Sequence, residues 1–558
     1  MGYDFHFYRN HYLSLEETVK SLQNPELEGQ LFSLDESIVK YSESIFTEIR
    51  DFRSPIGLKS TLIHPIDQDS MHCLSYPQLV KLPVPDIRLR YELLRQFNAR
   101  LFSALPFLSL ESNSVIVKST LMLRNLIFHS VKMEFFYDVM DKTSTVHNAP
   151  TVRYNRLKLA ARLEKRNPNE ILTDEGILKN TAFGIAFSQL RHVDPELLRP
   201  KKPSGTEPHF ALLIEFRGEH VQGEGGPYRQ FFTDVSRELR DVNSLPLLIP
   251  CPNAKGKVGE GRDKYVISPS AKSRLHLKMF KFLGQLMGMS IRTGVLLTLD
   301  LPPFFWKQLV SAQVTMTDIE AIDTHFYGTM RFFEEASDSD FSTIFQKFTV
   351  PLSDNSICLL KKGGDEIDVT FENRHEYVKF AQKARLNECS SQIKAIKRGL
   401  TDVVPHHLLG LLTWQDLEWR ICGKPMIDIK LLKRHTVYNS VSPTAPHILY
   451  FWQVLEEFNQ EDRRAFVRFV WGQERLPAND QEFNRTATRM LIKPYSGTTS
   501  PDQAFPRADT CFFNLFLPEY SSPDILREKL MVACHFDADS MNADNVVPDD
   551  AEPENVFL

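Results

Sequence analysis

Thr510-Cys511-Phe512-Phe513-Asn514, running on through Leu515-Phe516-Leu517-Pro518-Glu519-Tyr520-Ser521-Ser522, is the stretch on which the reading of this chain turns. The residues before it, Tyr495 to Asp509, form a loop rich in Pro, Asp and Gly, and the apolar, aromatic run after it reads as a buried strand. A single thiol therefore stands at a loop-to-strand junction. The strand fixes its backbone while the loop side stays open to a large partner, a placement in which a cysteine can accept an acyl group from another protein. A free cysteine is also among the most buried residue types, acting as a small hydrophobe. Spacing by itself leaves both readings open.

Around this stretch lies a chain of 558 residues, 42% apolar and 11% aromatic. That length suggests about three to four globular domains with large cores. A net charge of -5 gives no long basic field, so neither nucleic acid nor an anionic membrane is an expected partner. No apolar run approaches the roughly 18 residues of a membrane span. The opening Met1-Gly2-Tyr3-Asp4-Phe5-His6 has neither a signal-peptide core nor a myristoylation hydroxyl. Seven scattered cysteines (Cys73, Cys251, Cys358, Cys389, Cys422, Cys511 and Cys534) form no Cys-x-x-Cys, and there is no His-Glu-x-x-His. Neither a disulfide framework nor a metal site is expected. Free thiols point to a reducing compartment, cytoplasm or nucleus, where a thiol nucleophile stays unoxidised.

Residues 1–150 read as mostly helical, with Tyr91, Leu94, Phe97 and Leu101 at helical spacing. From Phe210 to Phe216 a strand leads into a turn, Arg217 to Gly226, whose glycines serve backbone geometry; Glu219 and Glu224 there would repel a phosphate. Pro227-Tyr228-Arg229-Gln230-Phe231-Phe232 then opens a helix toward Leu239. Met279, Phe282, Leu283 and Leu286 mark a core helix in which Gly284 and Gly288, one turn apart, let a neighbour approach; Gly294 stops it. Between 310 and 388 lies a segment with its own boundaries, including the acidic Glu334 to Asp340 and the turn-rich Lys361 to Asp365. Gly423 and Pro425 end another helix. Pro446 falls in a first helical turn, Gly472 stops a second helix, and a third runs from Pro523 to about Ala533. After His535 the tail, 537–558, carries acidic residues and no Lys or Arg.

Taken together, the thiol segment, the glycine turn with Pro227 to Phe232, Leu301-Pro302-Pro303-Phe304-Phe305-Trp306, Glu372 to Tyr377 and Leu417 to Pro425 resemble the HECT family of ubiquitin ligases, over roughly residues 200–536. The glycine turn and Leu476-Pro477-Ala478-Asn479 are similar to the HERC and HECTD types. The resemblance implies an α+β, two-lobed domain behind a helical extension: N-lobe 151–425 with a conjugating-enzyme-binding subdomain at 310–388, hinge 423–428 (Gly423, Lys424, Pro425 onward) and C-lobe 429–536. It implies that Cys511 carries ubiquitin as a thioester, received from a conjugating enzyme and passed to a substrate lysine. Phe326, Met330 and Tyr377 fall where the family grips that enzyme with exposed side chains, while from the residues alone burial in a core reads equally well. Near the thiol, Thr510 is expected to position the thioester carbonyl, Phe513 to anchor the strand and Asn514 to face ubiquitin. The carboxylate of Asp509 is expected to disfavour the thiolate, with Arg507 to offset it. No cofactor is implied.

Two other readings stand beside this one. An inactive scaffold of the same fold is motivated by Asp509 and the altered glycine turn. A cysteine protease would need a base, and no His lies in the loop; the nearest in sequence are His447 and His535. Transthiolation needs less, because the incoming thioester is already activated.

Overall fold

A computed structural model describes residues 33–40, 79, 84–109, 114–146, 148–164, 171–202, 209–219, 225–341, 345–486, 488–497, 500–510 and 512–535. The chain divides into two compact units, Met1–Lys142 with His406–Thr413, and Thr143–Pro405 with Trp414–Leu558.

In the first unit, α1 (Val84–Phe102) turns Tyr91 and Leu94 inward, and α2 (His129–Lys142) buries Val131, Met133, Phe136 and Met140. Asn98, buried on α1, ties them together: its amide donates to the Leu94 and Leu126 carbonyls at 2.8 and 2.9 Å and accepts from the Phe128 N–H at 2.8 Å. A buried amide is tolerated because its polar atoms are met. The short helix His406–Leu411, apolar at Leu408, Leu409 and Leu411, belongs to this unit and lays Gly410 against Leu121.

The second unit begins with β1 (Thr151–Tyr154), then α3 (Ala182–Leu190), and β2 (Leu213–Phe216) pairs parallel with β1. Next, α4 (Gly225–Arg240) buries Tyr228, Phe231, Phe232, Val235 and Leu239, a stripe at helical spacing. The Glu238 carboxyl group on α4 accepts from the Ala182 and Phe183 N–H groups at 2.6 and 2.9 Å, capping α3 from another element. The helix α5 (Arg274–Thr293) starts at Ser273, whose hydroxyl accepts the His276 N–H, and ends at Gly294 with φ +76°.

A subdomain follows: α6 (Thr324–Glu335), the hairpin β3 (Thr349–Pro351) and β4 (Ile357–Leu359), and α7 (Arg374–Asn387). After it α8 (Ser390–Val403) returns against α5 at very short range. A β-carbon on Gly284 would sit 2.0 Å from the Ile396 carbonyl oxygen, and one on Gly288 2.6 Å from Val403 Cβ. The paired glycines thus do what their spacing suggests. The body closes with α9 (Trp414–Cys422), ended by Gly423 at φ +75°.

The C-terminal lobe holds β5 (Thr436–Tyr438), α10 (Pro446–Glu457), α11 (Gln460–Trp471), β6 (Met490–Pro494), β7 (Arg507–Asp509), β8 (Asn514–Leu517) and α12 (Pro523–His535). The sheet order is β5-β6-β8-β7, with β5-β6 and β6-β8 parallel and β8-β7 antiparallel. Its core runs from Ile427 to Cys534, around Phe451, Phe466, Ile492, Leu515 and Leu526. Among the described residues no helix is long and apolar enough to cross a membrane.

Candidate active site

At the end of β7 the chain reverses through residues 510–513 into β8. Asp509 pairs with Asn514 across the turn, Ala508 with Leu515 and Arg507 with Phe516. The Phe512 N–H donates to the Asp509 carbonyl at 3.2 Å, closing a turn. Cys511 itself lies outside the described residues; its neighbours on both sides do not.

Phe513 fixes the turn. Its backbone is left-handed, φ +54°, a conformation that costs a non-glycine residue about 1–2 kcal/mol. Two interactions oppose that cost. The ring is buried and stacks on Trp471 of α11 at 4.9 Å between centroids and 12° between planes. Stacking of this kind contributes about 0.5–1.5 kcal/mol beyond the area buried. The Phe513 carbonyl also accepts from the Leu491 N–H on β6 at 2.9 Å. With Phe513 turned in, Phe512 is turned out, 63% exposed, beside an exposed Thr510. Behind the turn Leu515 and Leu517 are buried, and the Tyr520 hydroxyl donates to the Ala504 carbonyl at 2.9 Å.

Of the neighbours expected at the thiol, Thr510, Asp509 and Arg507 lie in or just before the turn, with Arg507 exposed and Asp509 half-buried. Asn514 does not face outward. It opens β8, paired on both sides and only 5% exposed, so its side chain cannot meet a partner on the surface. Phe513 anchors through the turn rather than from within the strand. Trp471, its partner, carries no signal in the local sequence.

Four of the other described cysteines are buried, and the fifth, Cys358, is half-buried on β4. Cys422 is wholly buried, donates to the Leu299 carbonyl at 3.6 Å, and is pushed up to about 12 by that burial. Burial likewise raises Cys251, Cys389 and Cys534. The histidines nearest Cys511 in sequence are engaged elsewhere: His535 meets Asp462 at 3.0 Å, and His447 is buried on α10. No cluster of three or more His, Cys, Asp or Glu able to hold a metal occurs among the described residues.

In the subdomain, Phe326, Met330 and Tyr377 are 6%, 2% and 2% exposed, which corrects the expectation of exposed gripping side chains. The physical reason is the subdomain's own core. Tyr377 packs its ring on Phe333 and Phe348 at 5.1 and 5.7 Å and donates to the Thr349 carbonyl at 3.3 Å. The Arg385 guanidinium lies 5.1 Å from the Phe326 ring, pairs with Asp323 at 2.6 Å and also meets Glu388. Among the described residues, the large apolar side chains exposed here are Phe332, Phe345, Ile357 and Leu359, Phe345 at 96%. Ile357 and Leu359 share one face of β4 by strand alternation.

At the expected hinge, Lys424 donates its backbone N–H to the Leu476 carbonyl at 3.3 Å, and Met426 is exposed. From Asp428, whose side chain accepts the Leu431 N–H, a new helical turn begins.

The chain matches the family HECT-domain (ubiquitin-transferase) over residues 235–543. It belongs to that family, the HECT E3 ubiquitin ligases. Human E3 ubiquitin-protein ligase HERC2 is 33% identical over 476 residues, which cover 83% of this chain and 9% of HERC2. Human HECTD4, a probable E3 ubiquitin-protein ligase, is 30% identical over 582 residues, 97% of this chain and 14% of its own length. The Arabidopsis thaliana ligase UPL2 is 30% identical over 365 residues, 63% of this chain and 9% of its own. The chain thus spans only a small fraction of the length of these relatives.

Proposed function

We propose that this chain is the catalytic region of a ubiquitin ligase in which Cys511 receives ubiquitin from a conjugating enzyme and delivers it to a substrate lysine. The observation that carries this reading is the turn 510–513, stapled from behind by the Phe513–Trp471 stack so that the residues flanking Cys511 face outward. The Cys511 thiolate attacks the carbonyl carbon of the enzyme-bound ubiquitin thioester; a new C–S bond forms and the conjugating enzyme's thiolate leaves. The lysine amine then attacks the same carbonyl, a C–N bond forms, Cys511 leaves as thiolate and the amine's surplus proton passes to solvent. The first step exchanges one thioester for another and is near isoenergetic, so no cofactor is required.

One thiol must meet two partners in turn, and residues 423–428 serve as the hinge for that swing. Phe332, Phe345, Ile357 and Leu359 are the exposed apolar side chains that suit the conjugating enzyme, while buried Phe326, Met330 and Tyr377 hold their scaffold. Thr510 is the hydroxyl placed to orient the thioester carbonyl. The partners are ubiquitin, a conjugating enzyme and a protein substrate, in cytoplasm or nucleus. Incubation with ubiquitin, activating enzyme and a panel of conjugating enzymes, resolved with and without reductant, tests the reading. A reductant-labile adduct absent from Cys511→Ala is expected; folded protein that forms no adduct with any conjugating enzyme would leave a binding scaffold instead.

A further inference from the structure

Trp471–Leu476, the segment leaving α11, touches the thiol turn, the large lobe and the hinge in succession. Trp471 stacks on Phe513. A β-carbon on Gly472 would lie 3.7 Å from Thr510 Cβ, and the Gly472 carbonyl accepts from the Thr233 hydroxyl of α4 at 3.3 Å. Glu474 pairs with Arg240 of α4 at 3.4 Å and with Arg468 at 3.1 Å. Arg475, its side chain 6% exposed, meets Asp300 at 2.8 Å and lies 3.8 Å from Glu418. Asp300 in turn lies 3.5 Å from Arg240, so the carboxylates and guanidiniums form one connected network rather than isolated pairs. Finally, the Leu476 carbonyl takes the Lys424 N–H and occupies the space over Gly423, where a β-carbon would come within 2.6 Å.

We propose that Trp471–Leu476 is a positioning strap through which movement at the hinge changes the geometry of the thiol turn, with Glu474 and Arg475 as its positioning residues. A swing at 423–428 must part Lys424 from Leu476 and strip Arg475 of its carboxylates. A buried guanidinium deprived of its partners is unstable, so release of the strap is all-or-none rather than gradual. The backbone that carries Arg475 also carries Gly472 and Trp471, and the turn beside Cys511 loses its backing when the strap lets go. Gln473, at the strap's centre, is buried with both amide atoms unpartnered among the described residues. The strap's partners Thr233, Arg240, Asp300 and Glu418 all lie outside 310–388. The strapped state is thus the delivering one, and receipt from an enzyme seated on the subdomain requires release.

This consequence rests on the proposed role of Cys511, and the test separates the two. Hydrogen exchange on the full chain reads the strap without ubiquitin. In Arg475→Ala, and in the isosteric Asp300→Asn should the first variant fold poorly, exchange at 423–428 and at 507–514 should rise together by about fivefold or more while α5 is unchanged. A rise confined to 471–477, or spread equally over α5, overturns the strap. In single-turnover assays the same variants should accept ubiquitin at least as fast as wild type and discharge it to lysine about fivefold more slowly or worse. Both rates falling in equal proportion also overturns it. Failure of the wild type to form any adduct tells against Cys511 as carrier, and the exchange result still judges the strap.

Discussion

Replacing Phe513 by alanine and, separately, by glycine tests how the thiol turn is held, because the two substitutions share one loss and differ in another. Both remove a buried phenyl ring stacked at 4.9 Å on Trp471. Deleting a buried aromatic costs about 3–5 kcal/mol. Alanine must still adopt the left-handed φ of +54°, keeping the penalty of about 1–2 kcal/mol, whereas glycine is free of it. In an ordinary position glycine is worse than alanine by roughly 0.5–1 kcal/mol through chain entropy. The difference of these terms leaves Phe513→Gly equal to Phe513→Ala or up to about 1.5 kcal/mol more stable. A chain of two compact units need not unfold in one step. The assay is therefore hydrogen exchange at the amides of Leu515 and Leu517, whose opening free energies report on this lobe. Glycine less stable than alanine by about 1 kcal/mol or more would refute the strained-turn argument, and losses under about 1 kcal/mol in both would refute the stack.

Three further outcomes follow from other parts of the chain. Ile357→Asp with Leu359→Asp, on the exposed face of β4, should slow charging by a conjugating enzyme about tenfold or more while unfolding stays within about 0.5 kcal/mol of wild type; unchanged charging kinetics would remove this surface from the account. Tyr377→Ala, by contrast, should destabilise the subdomain by about 3–5 kcal/mol, seen as faster exchange in α6 and α7. Desolvation by its surroundings pushes the Glu238 carboxyl up to about 8, against the pull of its two amide donors. Its folded pKa then exceeds the unfolded one, so the folded chain holds a proton that the unfolded chain releases: the stabilising contribution is full below the ordinary carboxylate range and is lost as pH rises toward about 8. Urea midpoints measured from pH 5 to 9 should fall with pH by at most about 1.4 kcal/mol per unit from this group, and Glu238→Gln should flatten that slope; an unaltered slope would show that Glu238 titrates normally.

Signals that act locally were legible in the sequence. Gly294, Pro446, Gly472 and Pro523 start or stop helices where their backbone preferences require, and Gly284 and Gly288 announce the close crossing of α8. The strand after Cys511 is there because Leu515 and Leu517 alternate into a core. What stayed hidden depends on distant partners. A phenylalanine at positive φ has no sequence signature, since Phe513 holds that backbone through the Trp471 stack and the bond from the Leu491 N–H. Phe326 and Met330 share a helix face at four-residue spacing, but α6 is apolar on more than one face, with Phe332 exposed and Phe333 buried, so spacing alone does not say which face points in. Asn514 is a polar residue whose burial follows from its place between two partner strands. Arg475 reads as a surface charge until Asp300 and Glu418 are brought to it by the fold.

The most direct measurement of the central claim is intact mass and peptide mapping of Cys511→Ser after incubation with charged conjugating enzyme, beside wild type. A serine hydroxyl in place of the thiol would capture ubiquitin as an oxyester, which thiols do not readily displace. The account predicts a ubiquitin adduct at position 511 in both proteins, lost on reduction in wild type and retained on reduction in Cys511→Ser. An adduct mapping to another cysteine, or one in the variant that reductant still removes, would contradict Cys511 as the carrier.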